Sequence, residues 1–232
     1  DADRAEETAC FVDHGEGPVV LLCHGNPTWS FLWRKVIARL DGYRVIAPDL
    51  WGLGLSDKPR STKDHDLGRH LELIGGLVRG LGIESFITVG QDWGGPIAAG
   101  VAARDPNRVR GAVFGNTGVL APRRPLRVTS FHRFSHRPLI SDAVFKLGGF
   151  PQRILHRVQG DPSSIGALER RAYTWPLRKL RDRAAPLGLA RMVPNREDHP
   201  SLPHLEHIDS WIRRFEGPIG LVWGLRDPIL DR

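Results

Sequence analysis

Cysteine is nearly missing from this chain of 232 residues. Only Cys10 and Cys23 occur, both in strand-like runs, which excludes a disulfide-stapled scaffold and points to a reducing compartment, the cytoplasm. No apolar run approaches the ~18 residues that a membrane helix needs, so neither a spanning segment nor a membrane partner is expected. Lysine is scarce too, found only at positions 35, 58, 63, 146 and 179. The formal charge of +7 therefore rests mainly on scattered arginines, and no nucleic-acid partner is expected because no binding-module signature accompanies the charge. The densest basic stretch, 170–183, alternates with Tyr173, Trp175, Leu177 and Leu180, which reads as a solvated helical face with an apolar side. Residues 1–7 are acidic and polar, unlike a secretory signal. The chain nevertheless starts abruptly without methionine, and the natural protein is expected to be longer.

What is present alternates between two periods. Hydrophobic residues make up 41% and charged residues 25%, ordinary for a globular protein, and the length suits one α/β domain with an insertion. Residues 8–13 and 19–23 read as strands around a Gly-rich turn, with further strands at 44–47, 85–90, 109–114 and 218–223. Helical periodicity occupies 29–40, 64–81 and 93–104. Such alternation implies a mostly parallel central sheet flanked by helices. Residues 121–207 are rich in Pro and Arg and lack β runs, so a helical cap is expected there. It would interrupt a main domain made of residues 1–120 and 208–232.

The most informative segment runs Ile87-Thr88-Val89-Gly90-Gln91-Asp92-Trp93-Gly94-Gly95-Pro96. It has the form strand, Gly-x-nucleophile-x-Gly, helix, with Asp92 where such elbows usually carry serine. A sharp strand-to-helix turn strains its central residue and brings backbones close, which explains the flanking glycines. Pro96 falls in the first helical turn, where its missing N–H has no partner to lose. The small residues Ala98, Ala99 and Gly100 would let the helix press on the sheet. Asp92 would meet the positive end of the helix dipole. The bland alternative is an N-cap aspartate in a plain strand–helix connection. As a nucleophile, a carboxylate can displace a leaving group from saturated carbon, forming an alkyl ester. Water must then cleave that ester, which needs a general base and an oxyanion hole. Alkyl halides and epoxides are the substrates that fit.

After the second strand comes Cys23-His24-Gly25-Asn26-Pro27-Thr28-Trp29. In an α/β-hydrolase fold this loop lies beside the elbow, and the backbone N–H groups of Asn26 and Trp93 would form the oxyanion hole. The Trp93 indole and the Asn26 amide add side-chain donors, each worth about 1.5–3 kcal/mol to a departing halide in a dry cavity. The runs from His24 to Ser30, from Pro48 to Pro59 (Pro-Asp-Leu-Trp-Gly-Leu-Gly-Leu-Ser-Asp-Lys-Pro) and from Gln91 to Gly95 resemble haloalkane dehalogenases. With the resumed strand and its aspartate, the likeness spans nearly the whole chain. The resemblance implies an α/β-hydrolase fold, Asp92 as nucleophile, and Asn26 with Trp93 as the halide-binding pair. It also implies a small haloalkane and its halide ion as partners, with no cofactor and no metal. Some members use a cap tryptophan in place of the asparagine. Trp175 would be the candidate, but with Asn26 present it reads as cap packing. His24 reads as a hydrogen-bonding residue of its own loop, not as the base.

The family places the triad acid after either of two strands. After the earlier one stands Gly115-Asn116-Thr117, with no carboxylate; after the later one comes Trp223-Gly224-Leu225-Arg226-Asp227-Pro228. Asp227 is therefore the expected acid, against the alternative of a turn aspartate before proline. No histidine of this sequence reads as the base. His132 and His136 lie i, i+4 but lack a third metal ligand, and His199, His204 and His207 cluster near the end of the insertion. The base is expected downstream of residue 232, so the chain as given would form the ester and hydrolyse it slowly. A missing edge strand would also leave apolar sheet uncovered.

Two other readings stay open. An epoxide hydrolase shares the fold and the Asp-Trp-Gly elbow, but typically relies on two cap tyrosines, and here only Tyr43 and Tyr173 exist. A non-catalytic ligand-binding protein of the same fold is the third. Substrate preference and oligomeric state are not legible.

Overall fold

The computed structural model describes residues 8–126, 128–225 and 227. Residues 1–7, Arg127, Arg226 and 228–232, the last being all of the sequence after the expected acid, lie outside the described residues. Six strands, β1 (Phe11–His14), β2 (Val19–Cys23), β3 (Arg44–Pro48), β4 (Phe86–Gln91), β5 (Val109–Gly115) and β6 (Ile219–Val222), form one sheet in the order β1-β3-β2-β4-β5-β6. Only β1 runs antiparallel to its neighbour; every other pairing is parallel. The two central apolar runs Val-Val-Leu-Leu-Cys and Arg-Val-Ile-Ala-Pro are buried almost throughout, as strands covered on both faces must be. β1 and β6 are the edges and are largely exposed.

The helices are α1 (Arg34–Ile37), α2 (Leu67–Gly80), α3 (Gly94–Arg104), α4 (Ser130–Ser135), α5 (Ile140–Asp142), α6 (Ala167–Thr174), α7 (Ala185–Arg191) and α8 (Ser201–Arg214). Two differ from the periodicity. The expected helix over 29–40 is a 3₁₀ turn, Ser30–Trp33, running into the single turn of α1. Its start is pinned from outside, because the Asp49 carboxylate accepts the Ser30 N–H at 2.7 Å. The helix expected from residue 64 begins instead at Leu67, where Asp66 caps it by accepting the Arg69 N–H at 2.8 Å, satisfying one of the orphan donors of the first turn.

α3 lies at the centre, buried from Gly94 to Ala103. The Ala98 carbonyl accepts the Thr88 hydroxyl of β4 at 3.2 Å. Gly100, expected to face the sheet, faces helices instead: a Cβ there would run into Leu71 of α2 and Ile208 of α8. α8 is unbroken across residue 207, and its Leu205, Ile208 and Trp211 join the main core. Position 207, where the insertion was expected to end, lies within α8, whose apolar stripe is buried against the core. The insertion has its own small core of Phe145, Leu187 and Ala190, with Phe131, Phe134 and Phe150 packed around it.

The strand order decides where a ligand can bind. β2 sits between β3 and β4, so the chain leaves β2 toward one side of the sheet and returns as β4 on the other. Loops that part at such a switch point open a crevice outside the carboxyl ends of the strands. The loops after β2 and β4 carry Asn26 and Asp92. Among the described residues, no helix is long and apolar enough to cross a membrane.

Candidate active site

Pairing places the candidate residues side by side. Cys23 opposes Gly90, Gln91 opposes Gly115, and Gly115 opposes Val222. The residues past these ends, Asn26, Asp92, Asn116 and Asp227, thus lie along the carboxyl end of the sheet. Asp92 has φ 52°, in the left-handed region, which costs a non-glycine residue about 1–3 kcal/mol. Its backbone is held on both sides. The Asp92 N–H donates to the Asn116 carbonyl at 3.1 Å, while the Asp92 carbonyl accepts the Gly95 N–H at 3.0 Å and the Thr117 hydroxyl at 2.6 Å. These bonds hold the turn that lifts the carboxylate above the sheet.

The carboxylate itself meets the expected donors. The Asn26 N–H donates to Asp92 Oδ1 at 2.7 Å, and the Trp93 N–H also bonds the carboxylate. Approach this close depends on Gly25, where a Cβ would collide with the Asp92 side chain. The surface of Asp92 is only part-covered, yet it sits deep among protein atoms, and that desolvation pushes its carboxyl up to about 6. The two N–H groups pull the other way, and the nearby Asp227 charge adds to the rise.

The side chains are less free than the sequence suggested. Asn26 Nδ2 donates to the Pro186 carbonyl of α7 at 2.9 Å, so one amide hydrogen ties the loop to the insertion. Its second amide hydrogen remains for a ligand. Asn26 Oδ1 is buried without a partner among the described residues. Trp93 leans on the main core. At the far end Asn116, which sequence reasoning passed over as lacking a charge, holds the expected acid: its Nδ2 donates to Asp227 Oδ2 at 2.8 Å, and its Oδ1 accepts the Gly224 N–H at 2.8 Å. One asparagine thus joins the Asp92 backbone to the carboxylate loop after β6.

The α/β hydrolase fold family matches residues 18–232. Haloalkane dehalogenase 2 of Mycobacterium tuberculosis is 37% identical over 221 residues, covering 94% of this chain and 74% of that protein. The chain belongs to the haloalkane dehalogenase family. The dehalogenase of Mycobacterium marinum is 30% identical over 230 residues, covering 96% of this chain and 73% of its own. Among solved structures, the haloalkane dehalogenase DbeA from Bradyrhizobium elkani USDA94 superposes with TM-score 0.84 at 28% identity, covering 95% of this chain and 78% of that one. DatA from Agrobacterium tumefaciens C58 gives TM-score 0.82 at 26% identity, covering 93% and 75%.

Within this dehalogenase-family site, no histidine among the described residues is set up as a base. His24 is fully buried with both ring nitrogens engaged, Nδ1 with the Gly25 carbonyl at 2.9 Å and Nε2 accepting the Leu50 N–H at 2.8 Å. It holds its loop, as its sequence context suggested. His65 and His70, which the sequence reading overlooked, stack with ring centroids 5.6 Å apart. Burial first, then mutual charge for His65 and the His24 charge for His70, push them down to about 3 and about 4. Both are neutral packing groups between α2 and α7. Trp175 corrects an expectation: it is 53% exposed, neither buried in the insertion nor bonded to the site, with Arg178 over its ring at 4.0 Å. Among the described residues, no cluster of metal-binding side chains of three or more occurs. The polar loop 48–59 is organised by Asp49, whose two carboxylate oxygens accept the Ser30 and Leu55 N–H groups; that carboxylate is structural.

Proposed function

We propose that the chain cleaves carbon–halogen bonds of small haloalkanes through an ester on Asp92. The observation that carries this is the pinned carboxylate. Asn26 holds Oδ1 through its N–H, which leaves the other oxygen to attack. That oxygen supplies an electron pair to the halogen-bearing carbon, the carbon–halogen bond breaks, and the halide leaves with the bonding pair. The second Asn26 amide hydrogen and the Trp93 indole N–H stabilise the departing ion. Once the ester stands, the N–H groups of Asn26 and Trp93 already face its carbonyl oxygen, where negative charge develops when water attacks. Asp227 is the acid of the triad, held by Asn116. The described residues supply no base to take the proton from that water, so in these 232 residues ester formation is fast relative to its hydrolysis. The helical segment after β5 acts as the cap over the cavity, and Pro186 is its contact with the halide-binding loop. The free thiols of Cys10 and Cys23 support a cytoplasmic setting.

An epoxide hydrolase would need free cap hydroxyls. The Tyr173 hydroxyl accepts from Arg34 at 3.1 Å with its ring against Phe31, and Tyr43 belongs to the turn before β3. Bromide release from 1-bromobutane and 1,2-dibromoethane tests the proposal. The expected result is a single-turnover burst that vanishes in Asp92→Ala. A burst that persists in that variant, or ring opening of styrene oxide without any bromide chemistry, would overturn it.

A further inference from the structure

The insertion carries a second concavity, on residues it shares with no part of the Asp92 site. This cleft has a volume of about 740 Å³, within the usual range for small-molecule sites. Arg153, Arg170, Arg171, Arg178 and Arg183 stand around it, and no carboxylate does. The stretch that reads in sequence as a solvated basic face is thus half of a cationic hollow. Arg170, Arg171, Tyr173 and Thr174 of α6 line the cleft, while Glu169 and the Tyr173 hydroxyl reach back to Arg34.

The charges in the cleft are unanswered. The guanidinium groups of Arg153, Arg170 and Arg171 make no hydrogen bond or ion pair to any described residue. Arg183 is only 4% exposed, and its donors go to neutral carbonyls of Leu177, Lys146 and Arg178 at 2.7, 2.8 and 2.9 Å. Gathered like charges without counter-charge destabilise a fold unless something neutralises them. His156 registers the field, held below its ordinary value by burial and then by Arg170 and Arg157.

Gln152 also lines the cleft and is only 3% exposed. The remaining wall is apolar, with Leu155, Ile165 and the half-exposed Trp175. Guanidinium groups match carboxylate and phosphate oxygens in geometry; Arg178 lies over one face of the Trp175 indole at 4.0 Å, and the opposite face accepts a flat ring.

We propose that this cleft binds a small aromatic anion, its phosphate or carboxylate held by Arg153, Arg170 and Arg171 and its ring laid against Trp175. The test is calorimetric titration of the 232-residue chain with 1-naphthyl phosphate and 1-naphthoate; the tighter of the two names the head group. At least one should bind saturably, and inorganic phosphate and 1-naphthol should each bind at least about tenfold more weakly. The double substitution Arg170→Glu with Arg171→Glu should cost a similar factor while far-UV circular dichroism stays unchanged. Should that variant misfold, the single Arg153→Gln substitution, at an exposed position, should still weaken binding several-fold. Affinity unmoved by these substitutions, no saturation by either anion, or inorganic phosphate binding as tightly as its naphthyl ester would each overturn the proposal.

Discussion

Asp92 carries opposite demands in one side chain. Burial raises its carboxyl to about 6, yet it must be ionised to attack. The rate of ester formation should therefore climb between pH 5 and pH 7 with a midpoint near 6, read by stopped-flow bromide release; a flat profile would contradict the assignment. In the proposed reaction the two side-chain donors, Asn26 and Trp93, act only as the halide departs. Trp93→Phe removes one and should slow the burst by about 10–100-fold, the equivalent of about 1.5–3 kcal/mol, with the fold retained by circular dichroism. Asn116→Ala removes three side-chain bonds to the Asp227 loop, costing about 1–3 kcal/mol in urea unfolding. Asp92, Asn26 and Trp93 are legible in sequence because their motifs are contiguous and the chemistry of each side chain is distinctive. Asn116 and Thr117 are not, because their roles exist only once β4 and β5 pair. A search after β5 for a carboxylate finds none, whereas a search for anything able to hold one would have found Asn116.

Elements with a strong period are legible to within a few residues, and α3 shows what the period leaves out. Its small residues announce close packing, but not against what. Gly100 lies under Leu71 and Ile208, so Gly100→Leu should wedge α2 and α8 away from α3. Overpacking of this kind costs about 1–3 kcal/mol or more, which a shifted urea midpoint would register; Ala98, beside the sheet, is the comparison site. The same contact holds residues 201–214 against α3 and the main core, which the composition of that stretch does not announce. Inside the insertion, short 3₁₀ turns and helices leave no long period to read, and the arginines of 170–183 gave no sign that they converge.

On the scale of the whole molecule, the buried ionisable groups set the pH dependence of stability. His65 and His70 are held neutral, with values of about 3 and about 4. Their contribution is present above the unfolded value near 6.5 and is lost as pH falls toward those folded values, because the unfolded chain binds protons that the folded one refuses. Asp92 runs the other way, its raised value adding stability below about 6, but it opposes two groups. Melting temperature should therefore fall from pH 6.5 to pH 4, and the double substitution His65→Phe with His70→Leu should flatten that slope. A steeper slope in the variant would contradict this. The sheet also ends on an apolar edge, with Leu221 and Val222 71% and 66% exposed. The central claim, that Asp92 is alkylated, is tested most directly by intact and peptide mass spectrometry after incubation with 1-bromobutane. The account predicts one butyl group, as an ester, on the peptide containing Asp92 and none in Asp92→Ala. A folded chain that releases bromide with no butyl group on that peptide at any time in the burst would contradict it.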